Sequence, residues 1–93
     1  MEVPVKIYEY ELALQDEQDV AMPVGARVLS VQAQDGRVVL WAKVDETTHY
    51  ELRRFRLYGT GVLLPETPGK YVGTVQLGAY VFHVFEVTPA IAV

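Results

Sequence analysis

The stretch Ala26–Val44, ARVLSVQAQDGRVVLWAKV, decides the fold because it predicts a complete β-hairpin. At its centre, Asp35-Gly36 is the strongest short signal for a two-residue type I′ turn, which needs a positive φ at both positions. The turn pairs Gln34 with Arg37, Ala33 with Val38, Val31 with Leu40 and Leu29 with Ala42. The last three pairs are apolar and share one face, so we assign that face to the core.

The opposite face of this hairpin is only half polar. It pairs Gln32 with Val39, Ser30 with Trp41 and Val28 with Lys43. Tryptophan is over-represented at interface hot spots, and it is equally typical of the core of a β-sandwich. Val28, Val39 and Trp41 are therefore interface candidates, with a second core layer as the open alternative.

A second hairpin is predicted from Lys70 to Val87, around a type II′ turn at Gly78-Ala79. Its core face pairs Leu77 with Tyr80, Val75 with Phe82 and Gly73 with Val84, and its other face pairs Gln76 with Val81, Thr74 with His83 and Val72 with Phe85. This outer face is again half apolar, so Val81 and Phe85 join the interface candidates. Because a monomeric sandwich should alternate more cleanly, we expect a second sheet, a partner subunit or a ligand to cover both faces.

The remaining segments also favour strands, at 3–12, 19–22 and 50–58, with one helical turn within 12–20 as an alternative. The apolar phase of the first strand flips near Ile7-Tyr8, which predicts a bulge or burial on both sides. Residues 62–69 read as a loop with an apolar patch, Val62-Leu63-Leu64. We predict one all-β domain over residues 1–93, with about seven short antiparallel strands in a small sandwich or partly open barrel and with 88–93 as a C-terminal tail.

Composition narrows the functional classes. The 93 residues suit one domain, and the absence of cysteine excludes disulfides, thiolate catalysis and cysteine-ligated zinc. A net charge of −4 argues against nucleic acid as a partner. The sequence shows neither a basic-then-apolar leader nor a long apolar run, so we expect no membrane association and a cytoplasmic location.

The best candidate for a ligand site is a stripe of arginine and tyrosine that leads into a glycine-rich turn. Its residues are Arg54, Arg56, Tyr58, Gly59, Thr60 and Gly61, with His83 as a further candidate. Arginine beside an aromatic ring suits a phosphate or a base, and two glycines around a threonine can expose backbone N–H groups to an anion. The alternatives are a solvated face ion-paired to Glu51 or Glu66 and a turn with positive φ at both glycines.

Catalysis and metal binding have little support. His83 suits a general base or a structural histidine that a neighbour such as Thr74 satisfies. The only serine, Ser30, lies in the middle of a strand without an elbow motif. His49 and His83 do not make a recognised metal spacing, so we expect neither a metal nor a cofactor, and an enzyme is the third-ranked hypothesis.

An ordered set of short segments resembles a family of short, uncharacterised all-β proteins encoded mainly by bacteriophages and prophages. The segments are Ile7–Tyr10, Met22-Pro23, Gly25-Ala26, Leu29–Gln32, Leu40–Ala42, Val44-Asp45, Tyr58–Gly61, Gly73–Gln76 and Phe82–Glu86. The resemblance implies a setting, the cytoplasm of an infected bacterium or alternatively the virion, rather than a reaction. Val3-Pro4 and the segment past Val87 lie outside its pattern.

Together these observations predict a phage or prophage accessory protein that acts as a non-catalytic interaction module. We expect it to form a homo-oligomer and to bind a host or phage protein. The alternative is a protein that binds or sequesters a nucleotide or phosphate through the arginine stripe and the glycine turn.

Overall fold

Two antiparallel sheets pack face to face. The computed structural model describes residues 3–92, and the side chains of residues 3–87. Its strands are β1 (Lys6–Leu12), β2 (Glu17–Pro23), β3 (Arg27–Gln34), β4 (Arg37–Val44), β5 (Tyr50–Gly59), β6 (Lys70–Leu77) and β7 (Tyr80–Ala92). One sheet has the order β1-β4-β3 and the other β2-β5-β7-β6. The all-β prediction with seven antiparallel strands is confirmed, and the two separate sheets make the fold a sandwich.

The register of the first hairpin is the one that its turn predicts, up to a β-bulge. Asp35 and Gly36 have φ of 51° and 76°, as a type I′ turn requires. The pairs from Gln34–Arg37 to Ser30–Trp41 are those predicted, but the register shifts between Val28 and Ser30. The predicted Leu29–Ala42 and Val28–Lys43 pairs are therefore wrong: Leu29 is exposed, whereas Val28 pairs with Ala42 and packs against the core.

The second hairpin behaves in the same way. Gly78 has a φ of 58°, and the pairs from Leu77–Tyr80 to Gly73–Val84 are as predicted. A register shift between Tyr71 and Gly73 then sets Tyr71, not Val72, opposite Phe85. Tyr80 was expected on the core face, but at the turn it is exposed. A turn thus sets the register only up to the next bulge, because the extra residue changes every later pair.

The core fills the space between the two inner faces. Leu12, Leu40, Phe55 and Val84 are among its fully buried members. In β1 the inward face starts at Tyr8, whereas Val3, Val5 and Ile7 are exposed, which accounts for the phase flip in the sequence. The helical turn considered within 12–20 is wrong, because β2 begins at Glu17 and no helix occurs in residues 3–92.

The segment expected as a tail continues β7 through Ala92. Its backbone pairs with β5, with Leu52 opposite Ile91 and Glu51 opposite Ala92. Val93, the last residue of the predicted tail, lies outside the described residues. Over the described residues, no helix has the length and apolar character needed to cross a membrane.

Candidate functional site

A groove opens on the outer face of the four-stranded sheet, where the loop after β5 meets β6 and β7. We call it the His83 groove. Its loop side is formed by Gly59, Thr60, Gly61, Val62 and Leu64. Its sheet side is formed by Tyr71, His83 and Phe85, and its volume is about 290 Å³. The fold therefore brings together five residues that the sequence analysis singled out: Gly59, Thr60, Gly61, His83 and Phe85.

Two threonine hydroxyls hold the imidazole of His83. Thr60 Oγ1 lies 2.9 Å from Nε2, and Thr74 Oγ1 lies 3.0 Å from Nδ1. Tyr71 extends this series of hydrogen bonds, with its hydroxyl 2.5 Å from Thr74 Oγ1. A neutral imidazole has one donor and one acceptor, and hydroxyls serve as either, so both ring nitrogens are satisfied. The predicted proximity of Thr74 and His83 is confirmed by their cross-strand pairing.

An aromatic cluster extends from the groove. The rings of Tyr58 and Tyr71 each lie 5.5 Å from that of Phe85, in edge-to-face geometry. Such pairs add to the stability that area burial gives, so this part of the face is preorganised. Tyr58 reaches the cluster because β5 sets it opposite His83, while Arg56 stands opposite Phe85.

Carboxylates on β2 neutralise the two arginines of the stripe, Arg54 and Arg56. Arg54 donates two hydrogen bonds to the carboxylate of Asp19, from Nε over 2.8 Å and from Nη2 over 3.2 Å. Arg56 Nε donates to Glu17 over 2.6 Å. The hydrogen bond from Arg54 lowers the pKa of Asp19, and the same bond raises the pKa of Arg54. The partners are thus Glu17 and Asp19 rather than Glu51 or Glu66. Both guanidinium groups are already occupied by carboxylates, which is unfavourable for phosphate binding.

The glycine turn is less open than an anion-binding loop would be. Gly61 has a positive φ of 88°, but Gly59 does not, so only one of the two glycines needs the left-handed region. The Val62 N–H donates to the Gly59 carbonyl over 3.3 Å, which closes the turn. One of the donors available to an anion is therefore used inside the turn itself.

The interface candidates fall in different places. Val39 is 1 % exposed and Val28 faces the core, so neither offers much surface to a partner. Trp41 is half-buried on the outer face of the three-stranded sheet, opposite Glu9 and Ser30. Val81 and Phe85 are half-buried on the outer face of the four-stranded sheet, the face that carries the His83 groove.

Tyr71, and the position of the 62–64 patch beside it, were not predicted from the sequence. Tyr71 was missed because the bulge after it could not be placed, and Val72 was set opposite Phe85 in its stead. The apolar run Val62-Leu63-Leu64 inside a loop was the available signal, since loops are usually polar. As for metals, no cluster of three or more potential ligand side chains occurs in the part of the chain that the structure describes.

Fold and groove together define the class: a small all-β sandwich with an uncharged, largely apolar groove on one outer face. The chain belongs to the family described as a domain of unknown function (DUF7352), which matches residues 4–92. Searches among curated proteins and among solved structures find no match. The predicted membership in a family without an assigned activity is confirmed, while its phage and prophage origin stays a prediction. The match includes Pro4 and residues 88–92, so the expectation that these lie outside the family pattern is wrong.

Proposed function

We propose that this protein is a non-catalytic interaction module that self-associates through the outer face of its four-stranded sheet. The observation that carries the proposal is Leu63, which is 93 % exposed beside the His83 groove. An apolar side chain so fully exposed costs solubility without adding to the core, and clustered exposed apolar groups mark interaction sites.

The groove has the character of a pocket for an apolar side chain. None of its lining residues is an acid, lysine or arginine, and its lining includes Val62, Leu64 and the rings of Tyr71 and Phe85. Tyr71 is 55 % exposed and Leu64 is 50 % exposed, so both have surface left to bury. Beside the groove, the ion pairs of Arg54 and Arg56 supply a polar rim. An apolar centre with a polar rim is the usual anatomy of a protein interface.

A second copy of the chain is the occupant we propose. Leu63 lies between two residues that line the groove, Val62 and Leu64, but is not itself part of the lining. In a two-fold dimer each copy presents the same patch, so Leu63 of one copy enters the groove of the other, and the reverse. The dimer would thereby bury the exposed Leu63 and the apolar groove of both copies.

The surface around Trp41 is the one we propose for a host or phage protein. By register, Ile7 shares this face, and it is 62 % exposed. The setting of the proposal, the cytoplasm of an infected bacterium or alternatively the virion, rests on the sequence resemblance. A nucleotide or phosphate binder ranks second because Arg54 and Arg56 already bind carboxylates. An enzyme ranks third because the partners of His83 are two hydroxyls.

Light scattering coupled to size exclusion, over a range of concentrations, tests the self-association. We expect the wild type to reach twice the monomer mass. Leu63→Asp should raise the dissociation constant by about thirtyfold or more, as loss of an interface hot spot does. The matched control is Leu14→Asp, at another exposed leucine, in the turn between β1 and β2, outside the groove.

Two results would oppose the proposal. A wild type that stays monomeric at the highest concentration removes self-association altogether. A dimer that tolerates Leu63→Asp, or that Leu14→Asp weakens equally, removes the His83 groove as its interface. Circular dichroism of both variants confirms that each is folded before the comparison is made.

A further inference from the structure

Three interruptions of strand pairing converge on one cleft. The pairing of β3 with β4 skips Leu29, that of β6 with β7 skips Val72, and that of β5 with β7 shifts across Arg53. All three residues line a cleft of about 340 Å³ that opens between the two sheets. Bulges re-aim side chains and are over-represented beside functional sites. Three of them around one opening make this cleft a built feature of the fold.

Three of the four charged side chains that line the cleft are cationic. Arg27, Arg53 and Lys70 take part in the lining, against the single carboxylate of Glu86. The chain as a whole has a net charge of −4, so this is a local reversal of sign. Among the described side chains, no carboxylate lies within ion-pair distance of Arg27 or Lys70. We call this opening the basic cleft.

Arg53 is held in one orientation by its neighbours and keeps one N–H group for a ligand. Its Nε and Nη2 bond Glu86, and its Nη1 donates to the Ala26 carbonyl over 2.8 Å. Nη1 also forms an ion pair with Glu51, at 3.6 Å from a carboxylate oxygen. A guanidinium carries five N–H groups, so Nη2 keeps one N–H without an assigned acceptor among the described residues. The hydrogen bonds to Glu86 hold the group in one orientation, which lowers the entropy cost of binding a ligand.

We propose that the basic cleft binds a small organic anion, in which a phosphate or carboxylate group is attached to an apolar body. The anionic group is drawn to Arg27 and Lys70, the two lining cations without an ion-pair partner among the described side chains, and Arg53 Nη2 adds one N–H donor. Charge-assisted bonds from arginine and lysine are the strong ones for such groups. The apolar body packs on Val28, Leu29 and Val72, which also line the cleft. The site lies between the sheets and shares only Tyr71 with the His83 groove, so its ligand can be tested separately from the proposed dimer.

An NMR titration of the full-length chain at low ionic strength tests this site. The probes are inorganic phosphate, phenyl phosphate and benzoate. We expect saturable shifts at the amides of Leu29, Arg53 and Val72, stronger for the two probes with a ring than for inorganic phosphate. Comparing phenyl phosphate with benzoate then shows which anionic group the cleft prefers.

Substitutions of the charged lining residues should weaken or tighten the binding of the anion according to the charge they remove. Arg27→Gln combined with Lys70→Gln should weaken binding by about five- to tenfold, because two attracting charges are lost. Glu86→Gln should tighten binding, since it removes the only carboxylate of the lining while its amide oxygen can still accept a hydrogen bond from Arg53. Lys43→Gln, which changes one exposed lysine outside the cleft, should leave the affinity unchanged.

The proposal is overturned if no probe gives saturable shifts at these amides. It is equally overturned if the Arg27/Lys70 variant binds as the wild type does, or if Lys43→Gln weakens binding to the same extent. Should Glu86→Gln fail to fold, the exposed Arg27 and Lys70 still decide the question, because neither is part of the core.

Discussion

Gly73 of β6 lies against Val31 of β3, so closely that a Cβ built on residue 73 would stand 2.7 Å from Cγ1 of Val31. β3 and β6 belong to different sheets, so this contact lies at a seam of the sandwich. A glycine is required here by space and not by backbone angle, since φ at Gly73 is not positive. The seam thus depends on the absence of a side chain at one position.

Gly73→Ala should destabilise the protein by about 1–3 kcal/mol, the usual cost of overpacking a core. Urea denaturation measures the free energy of unfolding. Gly59→Ala is the matched control, since a Cβ there would meet Val62 at an ordinary 3.6 Å. In a Val31→Ala background the cost of Gly73→Ala should fall, because the colliding methyl group is gone. An equal cost in both backgrounds would contradict the steric explanation.

Arg53→Met should destabilise the fold by about 3 kcal/mol, because it leaves the buried carboxylate of Glu86 without its partner. Replacing both residues, as Arg53→Met with Glu86→Met, should recover much of that loss, since no buried charge is left. Arg56→Met breaks an exposed ion pair and should have a much smaller effect. Denaturant melts of the four proteins at pH 7 make the comparison. A double variant as unstable as the single one would contradict this explanation.

Protonation of Asp19 should contribute to the loss of folding stability in acid. Its hydrogen bond to Arg54 lowers its pKa in the folded state, so its contribution to stability is present above the unfolded pKa of about 3.9. That contribution is lost as the pH falls through the folded pKa. Asp19→Asn should therefore be less stable than the wild type at pH 7, and the gap should close in strong acid. Glu66→Gln, at an exposed loop carboxylate, is the control; a gap that does not change with pH would contradict the linkage.

Local turn chemistry explains how much of the fold was predictable. Asp35-Gly36 and Gly78-Ala79 each set five correct pairs, because a two-residue turn fixes the register of the strands beside it. The errors at Leu29 and Val72 both follow from bulges, which leave no mark that one sequence reveals. β1 pairs with β4 and β2 pairs with β5. Packing between segments far apart in sequence decides these pairings, and no local sequence pattern encodes them.

Part of the lining of the His83 groove was predictable from the sequence, but the chemistry of the groove was not. Gly59 and His83 belong to the groove because β5 and β7 are neighbours, which the hairpins alone did not specify. The arginine stripe was misleading for the same reason, since its carboxylate partners lie on β2, more than thirty residues away in sequence. Arg53 was not among the candidate site residues: alternation along β5 turns it inward, away from Arg54 and Arg56.

Thr60→Val should loosen the loop that forms one wall of the His83 groove. The change removes the hydroxyl 2.9 Å from His83 Nε2 while it keeps the shape of the side chain. We expect a loss of stability of about 1 kcal/mol, as for a typical hydrogen bond, and faster amide exchange at Val62. Thr67→Val, at an exposed threonine elsewhere in the loop, is the control. Unchanged exchange at Val62 would mean that the bond to His83 does not order this loop.

The fluorescence of Trp41 should tell which face the dimer buries. It is the only tryptophan in the chain, and it lies on the three-stranded sheet, away from the His83 groove. If the dimer forms through Leu63 and the groove, the environment of Trp41 is the same in monomer and dimer. Its emission maximum should then stay constant as the protein is diluted through its dissociation, which light scattering follows in parallel. A red shift on dilution would mean that association buries Trp41, and the interface would then belong to the outer face of the three-stranded sheet.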